Sequence, residues 1–221
     1  MDSLKTLFMR SPIPAADLAP SLWWIIALPL IGAIVCAVAG KRLGRANTNL
    51  IASASVFGSF LISLLVFWAI NDPRTNAINQ VSGSAIRYAI GHDFGTWFAA
   101  GDFRVNFGLL VDHLSGIMLL VITGVGFLIH LYSTEYMSHD QSSWRYFAYL
   151  NLFVAAMLTL VMADSLVLLF VGWEGVGMAS YLLIGFWYND PAKAWAGRKA
   201  FIANRVGDFG FLVAAFLLTI T

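Results

Sequence analysis

A chain of 221 residues that is 59% hydrophobic and 11% charged has too little polar surface to enclose a water-exposed core, because soluble domains carry about 25% charged residues. A net charge of +1 and a mean hydropathy of +0.77 exclude a basic field for nucleic acid and an acidic solvated tail, and they make lipid the solvent. A single cysteine, Cys36, lies inside an apolar run and offers no disulfide framework, zinc set or iron–sulfur ligation, so redox chemistry is expected on another chain.

Runs long enough to cross about 30 Å of hydrocarbon predict six transmembrane helices, at Leu22–Ala39, Leu50–Ile70, Leu114–Tyr132, Tyr146–Ala163, Leu166–Tyr188 and Ala200–Ile220. Helix is required because each backbone N–H and C=O in hydrocarbon needs a partner within its own segment or a closed barrel, and these runs lack a barrel's alternation. The first run has features of a signal peptide, with Lys5 and Arg10 before it and Ala37-Val38-Ala39 at its end. Asp2 and Asp17 offset those positives, however, and Lys41, Arg42 and Arg45 follow the run uncancelled. It reads as an anchor with the N-terminus outside.

That orientation assigns the connections 40–49, 133–145 and 189–199 to the cytoplasm, with Lys41, Arg42, Arg45, Arg145, Lys193, Arg198 and Lys199 in them. The other side receives the long 71–113 connection and the turn Asp164-Ser165. Trp23, Trp24, Trp68, Tyr132, Tyr146, Trp187 and Tyr188 mark the ends of spans, where amphipathic rings favour the headgroup level. Within the long connection, Phe94–Phe98 and the alternating Phe103–Phe107 flank an Ala-Ala-Gly-Asp turn and predict a short external β-hairpin. The fold class is an all-α polytopic transmembrane helix bundle of six spans with that hairpin. Thr221 ends a span without a polar tail, which suggests a fragment.

Three charged residues fall inside the predicted spans: Glu174, Arg205 and Asp208. Ionisable groups in hydrocarbon are costly enough to mark functional sites by default. Glu174 lies eight residues in from Leu166 and Asp208 eight residues in from Ala200, each about 12 Å from its span end at 1.5 Å per residue. The two carboxylates are expected at comparable depth if their helices touch. Arg205 and Asp208 are spaced i, i+3 and share one helix face, as a structural bridge or as a tuning pair. Glu174 has no basic residue one turn away on its own helix, so its partner is another helix, water or a proton. A carboxyl beside a movable cation can load and release a proton. Gly172, Gly175 and Gly177 surround Glu174 and permit close helix approach or local distortion. Gly175-x-Gly177 has no preceding strand and fails the context of a nucleotide loop. For His130, near the end of the third span, and His139, in a cytoplasmic loop, a satisfied or solvated imidazole outweighs a ligand.

The stretches VDHLSGIMLLVITGVGFLIHLYSTEYM, RYFAYLNLFVAAMLTLVMADSLVLLFVGWEGVGMASYLLIGFWY and KAFIANRVGDFGFL strongly resemble subunit L of bacterial NADH:quinone oxidoreductase, the counterpart of subunit 5 of mitochondrial complex I. The resemblance runs from about Val111 to the end of the chain; residues 1–110 agree in layout, two helices and an external loop, rather than in motif. It divides the chain into 1–110, with the first two helices and the hairpin, and 111–221, the start of an antiporter-like inverted-repeat fold. It implies a proton-translocating membrane-arm subunit, part of an oxidoreductase complex while carrying no redox site itself. NADH, FMN, iron–sulfur clusters and quinone would be held by partner subunits. The glutamate of the GWE motif maps onto Glu174 as the proton-handling carboxyl, and the KAF and NRVGD motifs map onto Lys199, Arg205 and Asp208, the last two expected to tune or relay.

The same resemblance implies other membrane-arm subunits and the lipid bilayer as partners, no nucleic acid, and a bacterial cytoplasmic (inner) membrane location with the N-terminus external. The lysine that partners the glutamate in that family, on a broken helix further on, is not in these residues; the rest of the subunit is expected on the same full-length chain. Alternative readings are a Mrp-type cation/proton antiporter subunit or a membrane partner of a bicarbonate uptake system, and, outside transport, an anchor or assembly element.

Overall fold

The protein is described here by a computed structural model covering residues 15–72, 89–100 and 103–220. The readings made for Asp2, Lys5 and Arg10, for the middle of the 71–113 connection and for Gly101 and Asp102 of the hairpin turn fall outside those residues. Among the described residues six helices are long and apolar enough to cross a membrane: α1 (Leu22–Leu43), α2 (Arg45–Ile70), α3 (His113–Tyr136), α4 (Ser143–Met162), α5 (Leu166–Ile184) and α6 (Pro191–Ile220). A helical turn at Ala15–Leu18 and a 3-10 turn at Ala19–Ser21 lead into α1. Between α2 and α3 stand β1 (Ile90–Ala100) and β2 (Phe103–Val111).

The helices overrun the apolar runs, because polar residues at a span end continue the backbone ladder into the headgroup layer. The predicted 40–49 connection shrinks to Gly44, whose φ of +78° is open to glycine without a Cβ penalty. Lys41 and Arg42 belong to the last turn of α1, where the helix dipole favours cations. Thr48 Oγ1 donates to the Gly40 and Gly44 carbonyls at 3.1 and 2.9 Å and closes the corner. The predicted 189–199 connection is likewise mostly helix. Pro191 opens α6 and the Asp190 carboxylate accepts from the Ala192 N–H at 3.0 Å, an N-cap followed by proline at the first helical position. Lys193, Arg198 and Lys199 therefore lie on α6. At the other side of that corner α5 stops at Ile184 rather than Tyr188, and Arg145 donates to the freed Phe186 carbonyl at 3.3 Å with its guanidinium over the Phe186 and Tyr188 rings.

The hairpin is longer than its alternating residues predict. β1 and β2 pair antiparallel from Ile90↔Val111 to Ala100↔Phe103, with irregularities around Thr96. Gly95 takes a φ of +112°, its N–H donating to the Asp93 carboxylate at 2.8 Å, and Asn106 Nδ2 donates to the same carboxylate at 2.6 Å. The base of the hairpin is core: Ile90, Leu109 and Val111 are buried in one apolar cluster with Leu22, Ile25, Ile70, Leu119, Leu158, Met162 and Leu168. The Asp164 N–H donates to the Gly108 carbonyl at 3.2 Å and Leu109 bridges Ala163, so the hairpin is tied to the tight turn that starts α5. Ser165 caps that start, accepting from the Leu168 N–H at 3.3 Å.

Alternating helix direction gathers Arg45, Arg145 and Lys193 at the end opposite the hairpin; there Arg45 donates to the Met137 carbonyl at 3.3 Å. Of the span-end aromatics, Trp23, Trp24, Trp68, Tyr132, Trp187 and Tyr188 are exposed as a headgroup belt requires. Tyr146 is a packing residue instead, edge-on to Phe147 and Phe186 with its hydroxyl 3.2 Å from Ser133 Oγ.

Asp112 caps α3. Its carboxylate accepts from the Ser115 N–H at 2.7 Å and the Ser115 hydroxyl at 2.9 Å, and the backbone bond above all holds its pKa below the ordinary aspartate value. A carboxyl lowered by folding stabilises above its unfolded pKa and loses that contribution as pH falls through the folded value. Asp112→Ala is expected to cost roughly 1 kcal/mol at neutral pH, with the charge-dependent part of the deficit fading on acidification. Thermal unfolding in detergent across pH checks this; a deficit that grows toward acid pH contradicts it.

Candidate functional site

The site sits between α5 and α6. Contacts running Gly185 to Gly197, Tyr181 to Phe201, Glu174 to Arg205 and Phe170 to Phe211 are the order of an antiparallel pair. α5 is continuous through Glu174, so the glycines around it serve close approach rather than distortion. A Cβ on Gly172 would lie 2.5 Å from Leu160 N and 2.6 Å from Leu160 Cα, and one on Gly175 would lie 2.9 Å from Ala156 Cβ. These two seat α5 on α4. Gly177 faces α6, with Asn204 Nδ2 at 3.8 Å from its Cβ position.

With α5 locked to α4 on one side, Trp173 and Glu174 present their side chains to α6. Arg205 Nη1 donates to Glu174 Oε1 at 2.5 Å and stands 3.6 Å from Asp208 Oδ2. The guanidinium also lies over the Phe201 ring, 4.8 Å from its centroid. Within this chain the Asp208 side chain is 7% exposed, Glu174 25% and Arg205 50%. The partner that Glu174 lacked on its own helix is thus Arg205, and the i, i+3 pair is the looser of the two contacts. α6 begins nine residues before the predicted span, so Asp208 lies 17 residues, about 26 Å, from the helix start rather than about 12 Å. The two carboxylates are nevertheless brought to one level by sharing Arg205.

Lys199 is not part of this cluster. It is exposed on α6, six residues or about 9 Å along the axis from Arg205. His130 is buried, its Nδ1 donating to the Gly126 carbonyl at 2.8 Å, and His139 is exposed in the α3–α4 turn. Among the described residues no three His, Cys, Asp or Glu side chains come together as a metal site. Cys36 is buried near the Thr48 carbonyl.

Sequence reasoning overlooked Trp173 as a site residue. Its Nε1–H donates to Asp208 Oδ1 at 2.7 Å, across the same interface as the Glu174–Arg205 pair. The signal was its place beside Glu174, since neighbours on a helix diverge by about 100° and can flank one facing side chain.

Gly172→Ala is expected to push α5 off α4, costing about 1–3 kcal/mol and displacing the Glu174–Arg205 pair. Membrane levels and melting temperature measure the first effect. Equal stability for Gly172→Ala and Gly210→Ala, where a Cβ meets nothing within 4 Å, contradicts it.

The helix bundle agrees in fold with solved membrane complexes. The Mrp complex from Dietzia sp. DQ12-45-1b matches over 90% of this chain and 19% of its own with a TM-score of 0.70 at 22% identity. An archaeal membrane-bound sulfane sulfur reductase matches over 87% of this chain and 36% of its own with a TM-score of 0.64, also at 22% identity. Residues 97–147 match the family described as NADH-Ubiquinone oxidoreductase (complex I), chain 5 N-terminus, and residues 163–220 match that described as NADH:quinone oxidoreductase/Mrp antiporter, TM.

The chain is 45% identical to NADH-quinone oxidoreductase subunit L of Mycobacterium tuberculosis (strain H37Rv) over 195 residues, 88% of this chain and 29% of the relative. It is 43% identical to subunit L of Escherichia coli (strain K12), over 87% of this chain and 30% of that one. With chain 5 of Chondrus crispus it shares 43% identity over 88% of this chain and 27% of the relative. Over most of its length the chain is thus similar to proteins named NADH-quinone oxidoreductase subunit L or NADH-ubiquinone oxidoreductase chain 5, and it corresponds to their N-terminal portion. It spans less than a third of the length of these curated relatives, and the similarity is broader than the Val111-onward motifs alone.

Proposed function

We propose that this chain is the leading part of the proton-translocating membrane-arm subunit of an NADH-quinone oxidoreductase, with Glu174 handling the proton and Arg205 and Asp208 tuning it. The observation that carries the reading is one guanidinium between two carboxylates on facing apolar helices. With both carboxylates ionised the trio has a net charge of −1, and in hydrocarbon that deficit is a place for one proton. A cation beside a carboxylate disfavours its protonation and a departing cation favours it. Arg205 stands close enough to both oxygens for a side-chain movement of a few ångströms to change which one it neutralises. Lys199, exposed on the same helix, serves the approach to the cluster along α6.

In this reading NADH, FMN, iron–sulfur clusters and quinone belong to other subunits, and this chain contributes to the oxidoreductase only through the ion it moves. The bilayer is the bacterial cytoplasmic membrane. The end carrying Arg45, Arg145 and Lys193 faces the cytoplasm and the hairpin faces outward, which supports an external N-terminus. Residues 1–110 act as the leading unit and 111–221 as the beginning of the proton-handling repeat, whose remaining helices lie further along the full-length subunit.

The Mrp-type likeness favours a second reading, a cation/proton antiporter subunit driven by an existing gradient. Isolation of the full-length chain from native membranes separates the two: co-purification with NADH dehydrogenase activity supports the first, and its absence supports the second.

Glu174→Gln keeps the shape of the side chain and removes its charge. In the assembled complex it is expected to lower proton pumping and coupled quinone reduction by at least about tenfold, with Asp208→Asn acting in the same direction to a smaller extent. Pumping in membrane vesicles, corrected for assembled complex, is the measurement. Normal pumping by assembled Glu174→Gln removes Glu174 from the path, and loss of assembly in Asp208→Asn makes Asp208 a structural bridge.

A further inference from the structure

Arg205 has two carboxylates within reach and favours Glu174, although Asp208 lies on its own helix at the favourable i, i+3 spacing. Distance along the chain does not account for that preference. What distinguishes the carboxylates is their other donor: Asp208 Oδ1 receives the Trp173 indole N–H at 2.7 Å, and its Oδ2 stays 3.6 Å from Arg205, outside normal hydrogen-bond length. An indole N–H donates only, and neither accepts nor titrates, so it supplies Asp208 with a fixed donor that carries no charge of its own.

The direction of that N–H is held by packing. Trp173 lies nearly parallel to Phe211 with centroids 6.2 Å apart and an interplanar angle of 16°, and Phe211 stacks in turn on Phe170 at 5.5 Å and 18°. Phe211 is three residues beyond Asp208 on α6, hence on the same face. The helix that carries the carboxylate therefore also aims the donor at it, and Trp173 and Glu174, neighbours on α5, reach the two ends of one row of polar contacts: Trp173 to Asp208, Arg205 between, and Glu174.

We infer that Trp173 is a positioning residue of this cluster, whose indole N–H occupies Asp208 and so commits the Arg205 guanidinium to Glu174. Removing the N–H while keeping an aromatic ring leaves Arg205 as the donor for a buried Asp208, and the guanidinium moves from Glu174 to its own helix neighbour. The inference deepens the proton-handling reading and rests on it.

The test uses the full-length subunit in the assembled complex, with Glu174→Gln as reference. Trp173→Phe, which retains the ring, is expected to lower pumping and coupled turnover by about tenfold or more, the scale of one hydrogen bond to a charged group. In an Asp208→Ala background the same change is expected to have no further effect. Ultraviolet resonance Raman of wild type minus Asp208→Ala, with tryptophan intact in both, is expected to show one indole losing its N–H hydrogen bond. If Glu174→Gln pumps normally, the proton-handling reading fails and takes this inference with it. If Glu174→Gln is defective while Trp173→Phe pumps like wild type, or if Trp173→Phe costs as much without Asp208 as with it, the inference alone fails. An indole band indifferent to Asp208→Ala overturns it even where Trp173→Phe does not assemble.

Discussion

Two carboxylates share one guanidinium in a place where water is scarce, and the structure around α5 and α6 serves that arrangement. An unpaired charge in hydrocarbon is costly enough that its partner must be supplied by protein. Here Arg205 of α6 supplies Glu174 of α5, while Asp208 is served by Trp173 from across the interface. The two helices exchange donors in both directions, which fixes their level relative to each other more tightly than apolar contacts between interchangeable leucines would. The cluster still lacks one positive charge if both acids are ionised, and that imbalance makes it chemically interesting rather than merely stable.

The remainder of the bundle holds the α5 side of the cluster in place. Gly172 and Gly175 bring α5 against the backbone and Ala156 of α4, and α4 packs on α1, so the Glu174 side has a fixed support. The base of the hairpin adds a second restraint by bonding to Asp164 at the turn where α5 begins. α6 is different, since almost none of its apolar stretch is buried by this chain and its packing within it is against α5.

The spans and the alternation that makes a hairpin were legible in the sequence because both are local: hydrocarbon thickness sets the length of a run, and a pleat sets a period of two. The ends of the spans were not. Gly44 turning a corner alone and Pro191 with Asp190 starting α6 nine residues early are capping and turn events that hydropathy does not register. Tyr146, read as a headgroup ring, became packing for the same kind of reason, since its place at a span end said nothing about Phe186 arriving from the turn after α5. Glu174, Arg205 and Asp208 stood out at once because charge in an apolar run is rare.

By itself the sequence determined that the chain lives in lipid, how many times it can cross, and which three charged residues must find partners there, since each of these follows from the solvation of a residue and its near neighbours. Which partner each one takes was decided by tertiary structure. Arg205 is equally an i, i+3 mate for Asp208 on paper, and it goes to Glu174 because α5 presents that carboxylate across the interface while a tryptophan from the same helix already holds Asp208. Those distances arise from residues far apart in the chain meeting across a helix interface, and spacing along one helix carries no information about them.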